Sequence, residues 1–315
     1  MSSLLHVRAI VPERAHVALL DDLEQHVAVC NIIVLAAVTR KPDGHVILFD
    51  VVREAGDEIV TLLKAHDVHR DGAFSVEHAE LSMGEGSDRA ARLAPGDAEG
   101  AVIWSEVEET VAAASGVSAQ YLAFFLVASV IAAVGVLTDS PILIVGAMVV
   151  GPEYGPLSAM AFGLHARKWT LLRQGAITFT VGTVAAIAVA VVFGVVLRMI
   201  DRIPATYIAG RPLTGFIAQP DFFAPIVAAA AAVAGVLSLT LTRTGTLVGV
   251  LISVTTIPAI ADIGLGIATT NAAEAFGSLR QLSINVACLV LVGALTFSIQ
   301  RRLRDRHERR DRTSR

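Results

Sequence analysis

Between residues 119 and 300 the chain is a succession of apolar runs, each about as long as a bilayer is thick. A membrane span needs roughly 20 mostly apolar residues, and its backbone polar groups must be bonded internally because hydrocarbon offers no partner. This restricts the region to membrane helices. Six are predicted, at 119–137, 141–164, 170–199, 222–241, 244–268 and 279–300. Overall the chain is 54% hydrophobic and only 17% charged, against about 25% charged in ordinary soluble domains. The lipid bilayer is therefore the first expected partner.

Two of the six spans are interrupted. The second carries "GAMVVGPEYGP" over 146–156, with three glycines, two prolines and a glutamate. The fifth carries "TTIPAIAD" over 255–262. With Gly146 laid over Gly249, Gly163 falls over Gly266, and each interrupted segment is the middle member of three spans. Three is odd, so a second copy enters the bilayer from the opposite side. The expectation is two inverted three-helix repeats, 119–199 and 222–300, with broken second and fifth helices.

Helix breaks free backbone N–H and C=O groups, which must be buried in protein or line a polar cavity. Interrupted segments at corresponding places in two halves point to a transporter site. The candidate substrate- or ion-binding residues are Gly151, Pro152, Glu153, Tyr154, Gly155, Pro156 and Ser158 in the first break. Thr255, Thr256, Pro258 and Asp262 are those of the second. An acid at the centre of a span costs roughly 2.5–3.5 kcal/mol on insertion scales, so Glu153 calls for a role. Asp262, one turn beyond Pro258, is read as its counterpart.

The first 85 residues read as a soluble α+β domain. "LLHVRAIVP" is a strand, "ERAHVALLDDLEQH" a helix, "VAVCNIIVLAAV" a buried strand, and "HVILFDVVR" a third strand. "AGDEIVTLLKAHDV" and "AFSVEHAELSM" add a helix and a strand. The order βαββαβ predicts a ferredoxin-like split βαβ fold. His66 and His69, beside Asp67 and Asp71, resemble a metal site but equally suit a helix end. No metal or cofactor is expected.

Residues 86–118 follow as linker and amphipathic helix. Ile103, Trp104, Val107 and Val111 share one face, while Glu106, Glu108 and Glu109 share another. This helix either lies along the membrane interface or packs on the soluble domain.

The start lacks the basic-then-apolar pattern of a signal peptide, so the domain is expected to stay cytoplasmic. His165, Arg167, Lys168 and Arg173, then Arg243, then the basic tail at 301–315 fall on that same side when six spans alternate. The tail is explained by this rule and by anionic lipid; no nucleic acid partner is expected. Cys30 and Cys288 are too few and too far apart for a disulfide framework or a metal site.

The stretch "GAMVVGPEYGP" followed by "LSAMAFGL" resembles the signature of the uncharacterised membrane family known as domain of unknown function 389. Its members carry Gly-Ala-Met, then Pro, then Gly-Pro. Here those residues are Gly146, Ala147, Met148, Pro152, Gly155 and Pro156. The likeness extends over 119–300, and it implies a family without implying an activity.

The expected function is a secondary transporter of an ion or small polar solute, in a bacterial cytoplasmic membrane, with both termini cytoplasmic and a homo-oligomeric state. An ion channel, or a non-transporting sensor or scaffold, is the alternative. No nucleophile elbow, HExxH pair or phosphate loop is present in the sequence, so an enzyme is not expected.

Overall fold

The computed structural model describes residues 4–79, 84–93, 102–204, 207, 210–240 and 256–313. The chain divides into two compact units, Met1–Val107 with Leu303–Arg315, and Glu108–Arg302.

The first unit runs β1 (Leu4–Val11), α1 (Glu13–Gln25), β2 (Val29–Arg40), β3 (Asp43–Val52), α2 (Gly56–Ala65), α3 (Val68–Asp71), β4 (Ala73–His78) and α4 (Glu85–Leu93). Its sheet has the order β2-β3-β1-β4, antiparallel throughout. β1 shows why. Leu5, Val7, Ala9 and Val11 are buried while His6 and Arg8 are exposed, the period-two pattern of a strand with one covered face. Ala15, Leu19 and Leu23 of α1, with Ile59, Val60 and Leu63 of α2, supply buried helix stripes.

Two expectations change here. β2 is not a buried strand but an edge strand, and Ile33 through Val38 are exposed. A continuous apolar run does not distinguish a strand covered on both faces from an edge, and register shifts flank Ile33–Leu35. The stretch read as linker also contains α4, which buries Ser87 and Ala90 and packs on β2 and β3. Small residues three apart give a narrow stripe that permits close approach to a sheet.

α5 (Trp104–Ala113) follows. Asp57 caps its start, accepting from the backbone N–H of Trp104 at 3.1 Å and of Ser105 at 3.3 Å. Ile103, just before it, belongs to the core of the first unit.

The second unit holds α6 (Ala119–Leu137), α7 (Pro141–Val150), α8 (Tyr154–Ala166), α9 (Trp169–Met199), α10 (Phe223–Thr240), α11 (Thr256–Ala268) and α12 (Ala272–Thr313). Four of these, α6, α9, α10 and α12, are long and apolar enough to cross a bilayer. α7 and α8 meet the same test only as a pair bent by 60°, which is either one broken span or a re-entrant loop. α11 is a shorter apolar helix. Residues 241–255, the first part of the predicted fifth span, lie outside the described residues.

Contacts gather at two ends of this unit. At one end the Asp139 carboxylate accepts from the backbone of Thr214 at 2.8 Å, and Arg198 donates to the Ala268 carbonyl at 3.0 Å. At the other, Lys168 pairs with Glu108, His165 Nδ1 lies 2.9 Å from Ser298 Oγ, and Gln300 donates to Thr240 Oγ1 at 3.0 Å.

Many contacts recur after a shift of 103 positions. The amide of Lys168 donates to the Gly163 carbonyl at 2.8 Å, and that of Asn271 to the Gly266 carbonyl at 2.8 Å. Arg167 and Thr270, which close the two helices, are both left-handed, with φ of 56° and 58°. A Cβ on Gly163 would lie 2.7 Å from the Leu172 amide nitrogen, and one on Gly266 would lie 2.8 Å from that of Ala275.

The same shift exchanges partners between the halves. Gly264 of α11 meets Ala190 of α9, with 2.5 Å between a Cβ placed there and the Ala190 Cβ. Ala161 of α8 correspondingly meets Gly293 of α12, at 3.1 Å. Gly194 against Ala268 corresponds to Phe297 stacked on His165.

Candidate functional site

α7 stops at Val150. Gly151 follows in extended conformation, its N–H still bonded to the Ala147 carbonyl at 3.0 Å. Pro152 has no N–H to continue the ladder, and its fixed geometry turns the chain. α8 then starts with Tyr154 directly after Glu153. Pro156 is its third residue, where a missing N–H costs nothing because first-turn donors lack intrahelical acceptors.

Glu153 is 3% exposed, and its Oε2 has no hydrogen-bond partner among the described residues. The carboxylate is folded back on Gly151. A Cβ there would run into Oε2 and lie 2.6 Å from Cγ1 of Ile257, so only glycine fits between the acid and α11. Tyr121 of α6 lies within electrostatic reach of Glu153, and its hydroxyl donates to the Thr178 carbonyl at 3.2 Å.

The other residues of the first break do different work. The Tyr154 ring covers Gly235 of α10, where a Cβ would lie 2.9 Å from Cε2. Gly155 backs onto Ala114, with 2.8 Å from its would-be Cβ to the Ala114 carbonyl oxygen. Ser158 donates to the Gly155 carbonyl at 2.7 Å. Tyr154 and Ser158 line a small pocket with Leu157, Ala161, Ala232, Val236 and Leu289.

The first described turn of α11 lies beside this break. Thr256 is fully buried, and its Oγ1 has no partner among the described residues. Ile257 touches Gly151, and Pro258 is the third residue of α11 as Pro156 is of α8. Thr255 lies outside the described residues. The first described residues of α11 therefore lie beside the start of α8, and the shift of 103 carries Glu153 onto Thr256.

Asp262 is not the counterpart of Glu153 in this geometry. It is fully buried, and its two oxygens accept from Arg211 Nη1 and Nη2 at 3.1 and 3.2 Å. Ser278 Oγ donates to it at 2.6 Å. The same guanidinium pairs with Glu274 and lies 5.2 Å over the Tyr207 ring. No sequence motif singles out Arg211. The usable signal was Asp262 itself, since an acid in a spanning segment requires a partner.

Near the Arg211 cluster, Asp139 accepts from the backbone N–H of Leu213 and Thr214 and from the Thr214 hydroxyl, the last at 2.8 Å. Burial pushes its carboxyl up, but these donors and the Arg211 charge outweigh that and hold it below the usual carboxylate range.

In the first unit, His66 pairs with Asp22 at 2.7 Å while His69 is exposed. His45 pairs with Glu13 and stacks on His16. The His45 hydrogen bond holds the Glu13 carboxyl below its ordinary value. No three His, Cys, Asp or Glu side chains converge on a metal position among the described residues.

The family described as Domain of unknown function (DUF389) matches residues 148–291. That is the family whose signature the sequence resembles. Uncharacterized protein MJ0678 of Methanocaldococcus jannaschii is similar, at 22% identity over 184 residues, covering 58% of this chain and 55% of that protein. The chain thus spans about half the length of the curated relative it matches. No solved structure matches it.

Proposed function

We propose that this chain is a secondary carrier of an ion or small polar solute, with its site at the break between α7 and α8, beside α11. One observation carries the reading: Glu153 is buried at that break against Ile257, and its Oε2 has no hydrogen-bond partner among the described residues. A carboxyl kept there at a cost, with one oxygen left unpaired among the described residues, marks a binding or coupling group. Glu153 takes a cation or proton, while the backbone of Gly151 and Gly155 contacts the solute.

Six spans in two inverted repeats are part of this reading. The exchanged contacts support it: residue i of one half meets j of the other, and the equivalent of i meets the equivalent of j. That reciprocity is the mark of a two-fold axis. A ferredoxin-like fold for the first unit is supported by its βαββαβ order and β2-β3-β1-β4 sheet. In this scheme the domain is cytoplasmic, regulates or oligomerises the carrier through copies of itself, and the carrier sits in a bacterial inner membrane. It is not an enzyme.

The test is flux into proteoliposomes of a panel of labelled ions and small polar solutes. Wild-type protein carries at least one of them with a pH-dependent rate, and Glu153→Gln lowers that rate and flattens its pH dependence. Flux unchanged by the substitution in both respects would sink the assignment.

A further inference from the structure

Resting on the carrier reading, we propose that residues 210–221 are a gate that shuts one end of the membrane unit above Glu153, with Arg211 as its latch. The proposed site makes no use of the Arg211 cluster, yet burying charges is costly. The segment that carries Arg211 lies over the end marked by Asp139 and Arg198. Its Thr214 and Ile217 are fully buried. Leu213 and Thr214 donate to Asp139 in the turn between α6 and α7, and a Cβ on Gly277 of α12 would run into the Ala218 carbonyl. With Arg211 on Asp262 and Glu274, the segment ties that turn to α11 and α12.

The latch stands between Glu153 and this end. Ile257 lies against Gly151 beside Glu153. Asp262 comes five residues later, which is about 7–8 Å further along α11 at 1.5 Å per residue. The helix then runs on to Ala268, whose carbonyl Arg198 holds at the same end. The Arg211 guanidinium thus reaches in from the end to a level just beyond the acid.

The shift of 103 finds an equivalent segment at the opposite end. It carries Glu108 onto Arg211, Val111 onto Thr214 and Ser118 onto Asp221. Val111, like Thr214, is fully buried. Ser118 caps α6 by accepting from the Tyr121 amide at 3.0 Å, and Asp221 caps α10 by accepting from the Ala224 amide at 3.1 Å. Ala114 lies against the first break, its carbonyl oxygen 2.8 Å from a Cβ placed on Gly155. Each half therefore begins with a strap across one end, and alternating access to a central site needs a closure at each end.

The two fastenings differ in kind. Glu108 and Lys168 are both partly open to solvent, and exposed ion pairs hold weakly. Arg211 is buried and grips both oxygens of Asp262; parting them strands a desolvated charge. The strap at 210–221 is the tighter closure, and it opens only when Arg211 leaves Asp262.

The experiment follows a thiol placed beneath the gate in full-length protein in sealed vesicles. With Cys30 and Cys288 replaced by serine, Thr256→Cys puts it at a buried position next to Ile257. The rate of its modification by a membrane-impermeant methanethiosulfonate is measured from each face in turn. The strap's own face is the one from which Asp201→Cys reacts, Asp201 being exposed at that end. With Arg211 in place, modification from that face should be slow. Arg211→Met combined with Asp262→Ala should speed it by about tenfold or more, as expected when a rare open state becomes a common one. The rate from the other face should stay as it was, and Glu108→Gln should leave the rate from the strap's face unaltered.

Rapid modification with Arg211 in place, or no acceleration in the double variant, overturns the gate. Equal acceleration from both faces, the result of loosened packing alone, does so too, as does acceleration from the strap's face by Glu108→Gln. Should the double variant not fold, Asp139→Asn, which weakens the hold on Leu213 and Thr214, takes its place. A smaller acceleration confined to the strap's face is then expected, and its absence overturns the gate. These rates need no flux. A protein modified in this way that transports nothing refutes the carrier and not the latch, whereas flux with modification indifferent to Arg211 refutes the latch and not the carrier.

Discussion

Glu153 and Asp262 are both acids buried in apolar helices, yet their surroundings predict opposite responses to neutralisation. Asp262 completes a cluster with Arg211 and Ser278. Removing one partner of a buried pair leaves the other charge desolvated, a loss typically of about 3–5 kcal/mol. Asp262→Ala should therefore lower unfolding stability by ~3 kcal/mol, since Glu274 still neutralises part of Arg211. Adding Arg211→Met to Asp262→Ala should recover part of that loss in a denaturant titration. Glu153 Oε2 has no hydrogen-bond partner among the described residues, so Glu153→Gln should leave stability unchanged or raise it by ~1 kcal/mol, as removal of a buried functional group commonly does. A loss of several kcal/mol in that variant would make Glu153 a structural residue. Asp139 adds a pH test. Its carboxyl lies below the ordinary value, so its contribution is fully present above about pH 4 and disappears as pH falls through its lowered value. The stability gap between wild type and Asp139→Asn should be constant at neutral pH and close in acid.

At the level of the element, the break between α7 and α8 was legible because its causes are local. Pro152 cannot donate, and Gly151 permits the close approach of Glu153 and Ile257. The Arg211 cluster was not legible, because Arg211 and Asp262 are joined only by folding; Asp262 announced a need for a partner and not its identity. β2 was misread for a related reason, since the residues Ile33–Val38 are apolar whether or not anything covers them. α4 was hidden because Ala and Ser serve linkers and close-packed helices alike. The correspondence of the two halves was visible as Gly163 over Gly266, but its reciprocity appears only in contacts. That reciprocity is testable. Gly264→Ala and Gly293→Ala should each lower unfolding stability by about 1–3 kcal/mol, because a Cβ there would stand 2.5 Å from the Ala190 Cβ and 3.1 Å from the Ala161 Cβ. A loss in one variant without the other would break the two-fold relation.

For the whole molecule, the division into two units followed from composition, whereas sidedness depends on how charges are disposed between the repeats. The shift of 103 carries Glu108 onto Arg211. Glu108 pairs with Lys168 beside the α8–α9 corner, and Arg211 pairs with Glu274 beside the α11–α12 corner. The equivalent residues Glu108 and Arg211 thus carry opposite charges, although their partners differ, since the shift carries Lys168 onto Asn271. Equivalent corners on one side of a membrane would have no reason to differ in sign. Corners on opposite sides would, because basic residues are retained on the cytoplasmic face. Arg167 and Asp201 are exposed at the two ends and report this directly. With Cys30 and Cys288 replaced by serine, Asp201→Cys should react with a membrane-impermeant maleimide in intact cells. Arg167→Cys should react only after permeabilisation. Labelling of both from one side would remove the six-span inverted arrangement, and with it the placement of Glu153 between the two faces on which proton-coupled carriage depends.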